Sequence, residues 1–275
     1  MTVGIIGLGL IGGSLAKSLS QNSDHIVLGY DIDKSIISEA KLLNAIKDEF
    51  SLQNPSVCDT IILALYPEAS VEVFRTIAPH LKENTIVIDC GGVKENICNR
   101  CRDIALQNGI TFIGGHPMAG IEKMGFGYST SDLFRNASMI LTPFADTDIK
   151  AITFAKELFR DIGFGSTTIV SPKDHDEIIA YTSQLAHILS SAYIKSPTAA
   201  RHKGLSAGSF KDMTRVAYLN EIMWNELFLE NRENLLNELN TLIYNLNEYK
   251  TAIENKDSDT LISLLRDGRI KKENI

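Results

Sequence analysis

The sequence predicts an α/β chain, with a doubly wound, mostly parallel sheet over about residues 1–170 and an all-α part over 171–275. Three observations predict it. Up to about residue 170, short Ile- and Val-rich runs alternate with segments of three- and four-residue apolar spacing, the pattern of strand–helix–strand units. From Pro172 onward the strand-like runs disappear and nearly every segment is helical in period. The 275 residues, at about 150 per domain, also suit two domains.

In chain order, the strand-like runs are VGIIGL, HIVLGY, TIILALY, NTIVIDC, ITFIGG and ASMILTP. Their near-continuous apolar character fits strands buried on both faces. Helical spacing occupies Ser14–Ser20, Ile36–Asn44, Ser70–His80 and Glu95–Asn108. Pro172 is placed to open a helix through HDEIIAYTSQLAHILSSAYI, since proline suits the first helical turn. After a break at Gly204–Ser209, one long amphipathic stretch is expected from about Met213 into the 250s, with a last helix near Ser258–Arg266. So much apolar stripe on a small helical part points to a homodimer through this half.

Composition narrows the function. Hydrophobic residues make up 44%, enough for a packed core, and the formal net charge is −7. An acidic chain offers no basic face for nucleic acid, and no stretch approaches the length of a membrane span. Val3–Ala16 is uncharged and mostly apolar, but no Lys or Arg precedes it and Gly7, Gly9, Gly12 and Gly13 interrupt it. The expectation is therefore structure within a mature cytoplasmic protein rather than a signal peptide. The cysteines are Cys58, Cys90, Cys98 and Cys101. Cys98 and Cys101 form a C-x-x-C, but no second pair or nearby His completes a ligand set, so no metal site is expected.

Gly7-Leu8-Gly9-Leu10-Ile11-Gly12 is a G-x-G-x-x-G between a strand-like run and a helical segment. In that setting the glycines allow a tight turn and let backbone N–H groups approach a pyrophosphate, the Rossmann arrangement. Asp31 ends the second run nineteen residues after Gly12, where an acid accepts from an adenosine ribose and repels a 2′-phosphate. The cofactor expected is NAD, held by Gly7, Gly9, Leu10, Ile11, Gly12 and Asp31. Leu65 and Gly92, at the ends of the third and fourth runs, should line the same crevice.

His116 lies in Gly114-Gly115-His116-Pro117-Met118-Ala119-Gly120, at a strand end, where an imidazole could take a proton from a substrate hydroxyl. Taken alone it reads more readily as a surface or capping histidine. Ser183 and His187 are four apart on one helical segment and share a face with Asp176 and Ala180. Arg215 stands within SFKDMTRVA, three residues after Asp212. By themselves these read as a solvated stripe and a surface ion pair.

Together, GLGLIGGSLA with GYDID, GGHPMAGIEKMG, HDEIIAYTSQLAH and SFKDMTRVA resemble, in that order, the prephenate/arogenate dehydrogenase family of tyrosine biosynthesis. The resemblance spans about residues 3–230. The β-hydroxyacid dehydrogenases share the glycine motif but use a catalytic lysine and lack HPMAG. The resemblance implies NAD-dependent oxidative decarboxylation of prephenate to 4-hydroxyphenylpyruvate and CO2. It gives His116 the ring hydroxyl, has His187 line the substrate site, sets Arg215 on a substrate carboxylate and puts Glu122 at the pocket mouth. It also makes the helical half the dimer interface.

Ser183 and Lys211 are further substrate-binding candidates, with Lys94 and Lys203 as possible cationic helpers for a dianion. Three positions depart from the family pattern. Gly91-Gly92-Val93-Lys94 has glycine where a serine is frequent, Gln184 replaces the first histidine of S-H-L-P-H, and Lys211 replaces the arginine of F-R-D. They leave the choice between prephenate and arogenate open. A redox sensor that binds NAD without catalysis is the alternative of a different class. No room is expected for a further regulatory domain.

Overall fold

The structure is a computed structural model that describes residues 1–275. The first half alternates strand and helix: β1 (Thr2–Ile6), α1 (Leu10–Asn22), β2 (Ile26–Tyr30), α2 (Lys34–Leu42), β3 (Asp48–Glu49), β4 (Thr60–Leu63), α3 (Pro67–Ile77), β5 (Ile86–Asp89) and α4 (Glu95–Asn108). It continues with β6 (Thr111–Pro117), β7 (Ser138–Thr142), α5 (Ile149–Ile162) and β8 (Ser166–Ile169). One eight-stranded sheet results, in the order β3-β2-β1-β4-β5-β6-β7-β8. All neighbours are parallel except β6 and β7.

The strands read as continuous apolar runs because alternate residues enter two different cores. Ile5, Ile62, Ile88 and Ile113 face the core built with Leu15 and Leu19 of α1 and Phe159 of α5. Ile6, Ile61, Val87 and Phe112 face the opposite core, with Phe74 of α3 and Ile97 of α4. Each of these side chains is nearly or wholly removed from water, worth roughly 1.5–3 kcal/mol apiece before the entropy cost. β1 is flanked by β2 on one side and β4 on the other, so the chain winds both ways from it. That reversal opens a crevice beyond the strands' carboxyl ends.

The second half is helical: α6 (Pro172–Ile179), a π-helical stretch (Ala180–Leu185), α7 (Ala186–Ile194), α8 (Gly208–Thr214), α9 (Glu221–Glu230), α10 (Arg232–Glu254) and α11 (Ser258–Glu273). Ser171 caps α6 by accepting from the Asp174 N–H, with Pro172 in the first turn as expected. No helix is long and apolar enough to cross a membrane. Along α9–α11, Ile222, Leu229, Leu236, Ile243, Ile253 and Leu265 remain exposed.

Two strands escape the sequence pattern. β3 has two residues, and β8 (STTI) is a polar edge strand with three exposed side chains. The stretch from Met213 is also not one helix. Asn220 caps α9 through its Oδ1, which accepts the Met223 N–H at 2.8 Å. Asn231 leaves helical geometry between α9 and α10 (φ −109°, ψ 29°). Its Nδ2 donates to the Asp176 carbonyl at 2.7 Å and to Gln184 Oε1 at 2.8 Å. A one-residue break keeps the apolar spacing almost in phase, which hides it from the periodicity.

Candidate active site

The turn between β1 and α1 needs its glycines for separate reasons. Gly7 has φ +88°, and a Cβ there would also lie 2.5 Å from the Ala64 carbonyl. At Gly12 a Cβ would sit 1.8 Å from the Gly7 carbonyl, so only glycine lets α1 start this close to β1. Gly9 faces open space and caps α1 without a side chain, leaving the first-turn N–H groups uncapped by the protein. Leu10 and Ile11 are half-buried in that turn.

Asp31, just past β2, accepts the Leu8 N–H on Oδ2 at 2.8 Å and the Asp33 N–H on Oδ1 at 3.0 Å. These bonds fix its carboxylate beside the glycine turn and leave lone pairs on both oxygens. Leu65 follows β4 and packs within 2.7 Å of the space a Gly7 Cβ would fill. The open cradle, uncapped helix and anchored acid fit a dinucleotide.

His116 projects from the end of β6, and its Nδ1 lies 2.9 Å from His175 Nε2. His175 Nδ1 lies 2.7 Å from Asp176 Oδ1. Asp176 also accepts the Lys94 N–H on Oδ1 at 2.7 Å and the Glu95 N–H on Oδ2 at 2.8 Å, at the start of α4. The tautomers follow from this network. A carboxylate only accepts, so His175 carries its proton on Nδ1 and accepts at Nε2. His116 then donates from Nδ1, which leaves the lone pair of its Nε2 free.

Beneath this relay, Lys94 and Asp89 form an ion pair with both side chains wholly buried. Asp89 further accepts the Gly91 N–H at 2.8 Å and the Gly115 N–H at 3.0 Å, joining β5, the following loop and β6 next to His116. Burial first, and the Lys94 ammonium with it, hold His116 well below the usual histidine pKa. The imidazole is neutral at pH 7, with Nε2 able to accept a proton.

The π-helical stretch lies between His175 and His187 on one continuous helix. Its wider turns bury Gln184, whose Nε2 donates to the Leu227 carbonyl at 2.9 Å. Ser183 is half-buried, and its carbonyl accepts His187 Nδ1 at 2.8 Å. The His187 ring lies 4.0 Å, centroid to centroid, from Trp224 of α9. Burial is the main cause that lowers the His187 pKa, and the positive Arg215 lowers it further. Arg215 Nη1 donates to Glu122 Oε1 at 2.8 Å, an exposed contact between the loop after β6 and the turn after α8. Lys203 and Lys211 are exposed nearby in sequence.

Two family models match the chain. One, described as "Prephenate dehydrogenase, nucleotide-binding domain", covers residues 15–167, and the other, "Prephenate dehydrogenase, dimerization domain", covers 171–267.

The chain belongs to the prephenate dehydrogenase family.

Cyclohexadienyl dehydrogenase of Zymomonas mobilis is 31% identical over 97% of this chain and 93% of its own length. Prephenate dehydrogenase of A. aeolicus, solved with hydroxyphenyl propionate and NAD+, superposes with a TM-score of 0.86 at 30% identity, over 100% of this chain and 98% of that one. Synechocystis arogenate dehydrogenase superposes at 0.83 with 26% identity, over 100% and 99%. The fold is that of a dehydrogenase with a dinucleotide-binding Rossmann half and a helical half, as the sequence predicts.

Against this family background, the site residues fall into three groups. Gly7, Gly9, Leu10, Ile11, Gly12, Asp31 and Leu65 gather at the β1–α1 turn. His116 stands with His175, Asp176, Asp89 and Lys94. His187, Glu122 and Arg215 act on one another electrostatically, with Ser183 bound to His187. Gly92 is half-buried, and a Cβ there would meet Leu227 at an ordinary 3.4 Å, so the position has room for a side chain.

Lys94 is not the free cation the sequence suggests, because Asp89 holds its ammonium in the interior. Asp176 does not share a solvated stripe with His187 either, since it turns onto the start of α4. His175 and Asp89 escape the sequence reading. Their signals were a His-Asp pair just after a Ser-Pro helix start, and an acid ending a strand five residues before a lysine. Burial pushes the Cys58 and Cys98 thiols up to about 12, and those of Cys90 and Cys101 up as well, which keeps all four thiols protonated.

Proposed function

We propose that the chain catalyses NAD-dependent oxidative decarboxylation of prephenate to 4-hydroxyphenylpyruvate and CO2, in tyrosine biosynthesis. The observation that carries this reading is the His116–His175–Asp176 relay at the carboxyl edge of the sheet, on the same edge as the glycine turn and Asp31. NAD, when bound, supplies the hydride acceptor. Gly7, Gly9, Leu10, Ile11 and Gly12 hold its pyrophosphate, Asp31 takes the adenosine ribose, and Leu65 and Gly92 line the crevice.

His116 Nε2 receives the ring-hydroxyl proton as that carbon becomes a carbonyl, and loss of the ring carboxylate makes the ring aromatic. While Nε2 holds the proton, Nδ1–H remains bound to His175 and Asp176 offsets the added positive charge through it; Nε2 returns the proton to the ring oxygen as CO2 leaves and the ring becomes aromatic, giving the phenol. Arg215 takes a substrate carboxylate in a two-pronged contact, exchanging Glu122 for it. His187 and Ser183 line the pocket, with Lys211 at its rim.

Arogenate is the second reading, supported by the likeness to the Synechocystis enzyme. The charge of residues 195–215 favours prephenate. Lys195, Arg201, Lys203, Lys211 and Arg215 face only Asp212 in that segment, a poor setting for the extra ammonium of arogenate. We further assign residues 1–170 to cofactor binding and 171–275 to substrate binding and to a homodimer, supported by the exposed apolar row on α9–α11. A cytoplasmic location suits four free cysteines.

The test is NADH formation with NAD and each substrate offered separately, with the product identified. Turnover of prephenate to 4-hydroxyphenylpyruvate above that of arogenate supports the reading. The opposite ranking replaces it with arogenate dehydrogenation, and silence with both while NAD binds favours a sensor.

A further inference from the structure

The dinucleotide crevice has a second charged element beside Asp31. β3 pairs with β2 so that Glu49 lies opposite Gly29, two residues before Asp31. Across the strand ends, the ammonium of Lys34, the first residue of α2, is bound by the Glu49 carboxylate. The same ammonium lies 5.3 Å from the Tyr30 ring centroid, on the negative face of that ring. Tyr30 in turn meets Phe50 edge-on at 6.5 Å, so the clasp rests on a fixed aromatic base. Tyr30, Lys34, Glu49, Phe50 and Gln53 line a cavity of about 600 Å³ at this edge of the sheet.

Lys34 is the cation closest in sequence to Asp31, and a cation by the adenosine ribose is what accommodates a 2′-phosphate. Its charge is already engaged. The hydrogen bond it donates to Glu49 is the main cause that holds its pKa above the ordinary lysine value, and Asp31 adds to it. The other nearby cation, Lys41, is bound to Asp48 at 2.6 Å. Asp33 is occupied locally, accepting the Ser35 N–H at 2.8 Å as the cap of α2.

We infer that Glu49 is a selectivity residue for the cofactor: by clasping Lys34 it withholds the cation beside Asp31 from a 2′-phosphate, so that NAD is preferred over NADP. This rests on the NAD reading above and deepens it. Asp31 excludes the phosphate by repulsion, and Glu49 excludes it by removing the counter-charge. The two contributions are separable because they use different side chains.

The experiment measures binding to the whole protein of two adenosine probes, ADP and 2′,5′-ADP, by calorimetry. The proteins are wild type, Glu49→Gln, Lys34→Met and the double variant. Glu49→Gln is expected to tighten 2′,5′-ADP about three- to tenfold, the range for one charge-assisted contact at an exposed site, with ADP unchanged. The gain disappears in the double variant if it comes from Lys34.

Unchanged 2′,5′-ADP binding in Glu49→Gln, or a gain that persists without Lys34, overturns the inference. Wild-type protein that prefers 2′,5′-ADP to ADP removes the NAD reading. A Lys34-dependent gain in Glu49→Gln supports the clasp even then.

Discussion

His116 and His175 stand with Nδ1 and Nε2 2.9 Å apart, and their rings meet edge-on at 5.1 Å between centroids. One histidine comes from the sheet and the other from the first helix of the helical half. The contact therefore sets the orientation of the free His116 nitrogen and ties the two halves together at the same point.

The pH dependence follows from that contact. The pKa of His116 is depressed in the folded chain, so the neutral form persists from neutral pH to well below 6.5. Turnover should stay flat on acidification through the usual histidine range and fall only below it. The same depressed pKa contributes stability that is present above the unfolded value and lost as pH falls through the folded value. Burial is the first cause of the depression and His175→Gln leaves it in place, so the acid limb of kcat should stay well below 6.5 in that variant too, and a kcat–pH profile of both proteins checks it.

Asp176 serves two neighbours with one carboxylate, capping α4 and orienting His175. Asp176→Asn keeps the volume but gives up the charge and presents an NH2 to groups that donate. Stability should fall by about 2–3 kcal/mol, the scale of lost hydrogen bonds to a buried charge, and kcat should fall with it. Urea unfolding alongside steady-state kinetics separates the two effects.

The buried pair of Asp89 and Lys94 predicts a non-additive series. Asp89→Asn or Lys94→Met alone strands a charge in the interior and should cost roughly 3–5 kcal/mol. The double variant strands none and should recover a part of that loss, leaving it less destabilised than the sum. Denaturant midpoints of the four proteins form the cycle.

Arg215 is paired with Glu122 across an exposed gap, so its removal should cost little stability. Arg215→Ala should raise KM for prephenate by about tenfold or more, as expected for loss of a charged contact, with a smaller change in kcat. Arg215→Lys should recover only part, because it lacks the planar fork. An unchanged KM would remove Arg215 from the site.

Much of this molecule is legible in its sequence. The strand runs show because both faces of β1, β4, β5 and β6 are buried, and the glycine turn shows because sterics leave no other residue at Gly7 or Gly12. β8 is not legible, since a polar edge strand has no apolar signature. The break at Asn231 is silent because the apolar phase survives it. The relay is hardest to see. His175 and Asp89 act through contacts 59 and 26 residues away in the chain, and no local spacing encodes such a pairing.

With His116 proposed as the base for prephenate oxidation, the most direct measurement is turnover of prephenate by wild type and His116→Asn, with NAD binding measured on both. Wild type should form 4-hydroxyphenylpyruvate and NADH. The variant should bind NAD with nearly unchanged affinity and turn over roughly a hundredfold or more slower, as expected for loss of a general base. Equal turnover in the two proteins would contradict the account.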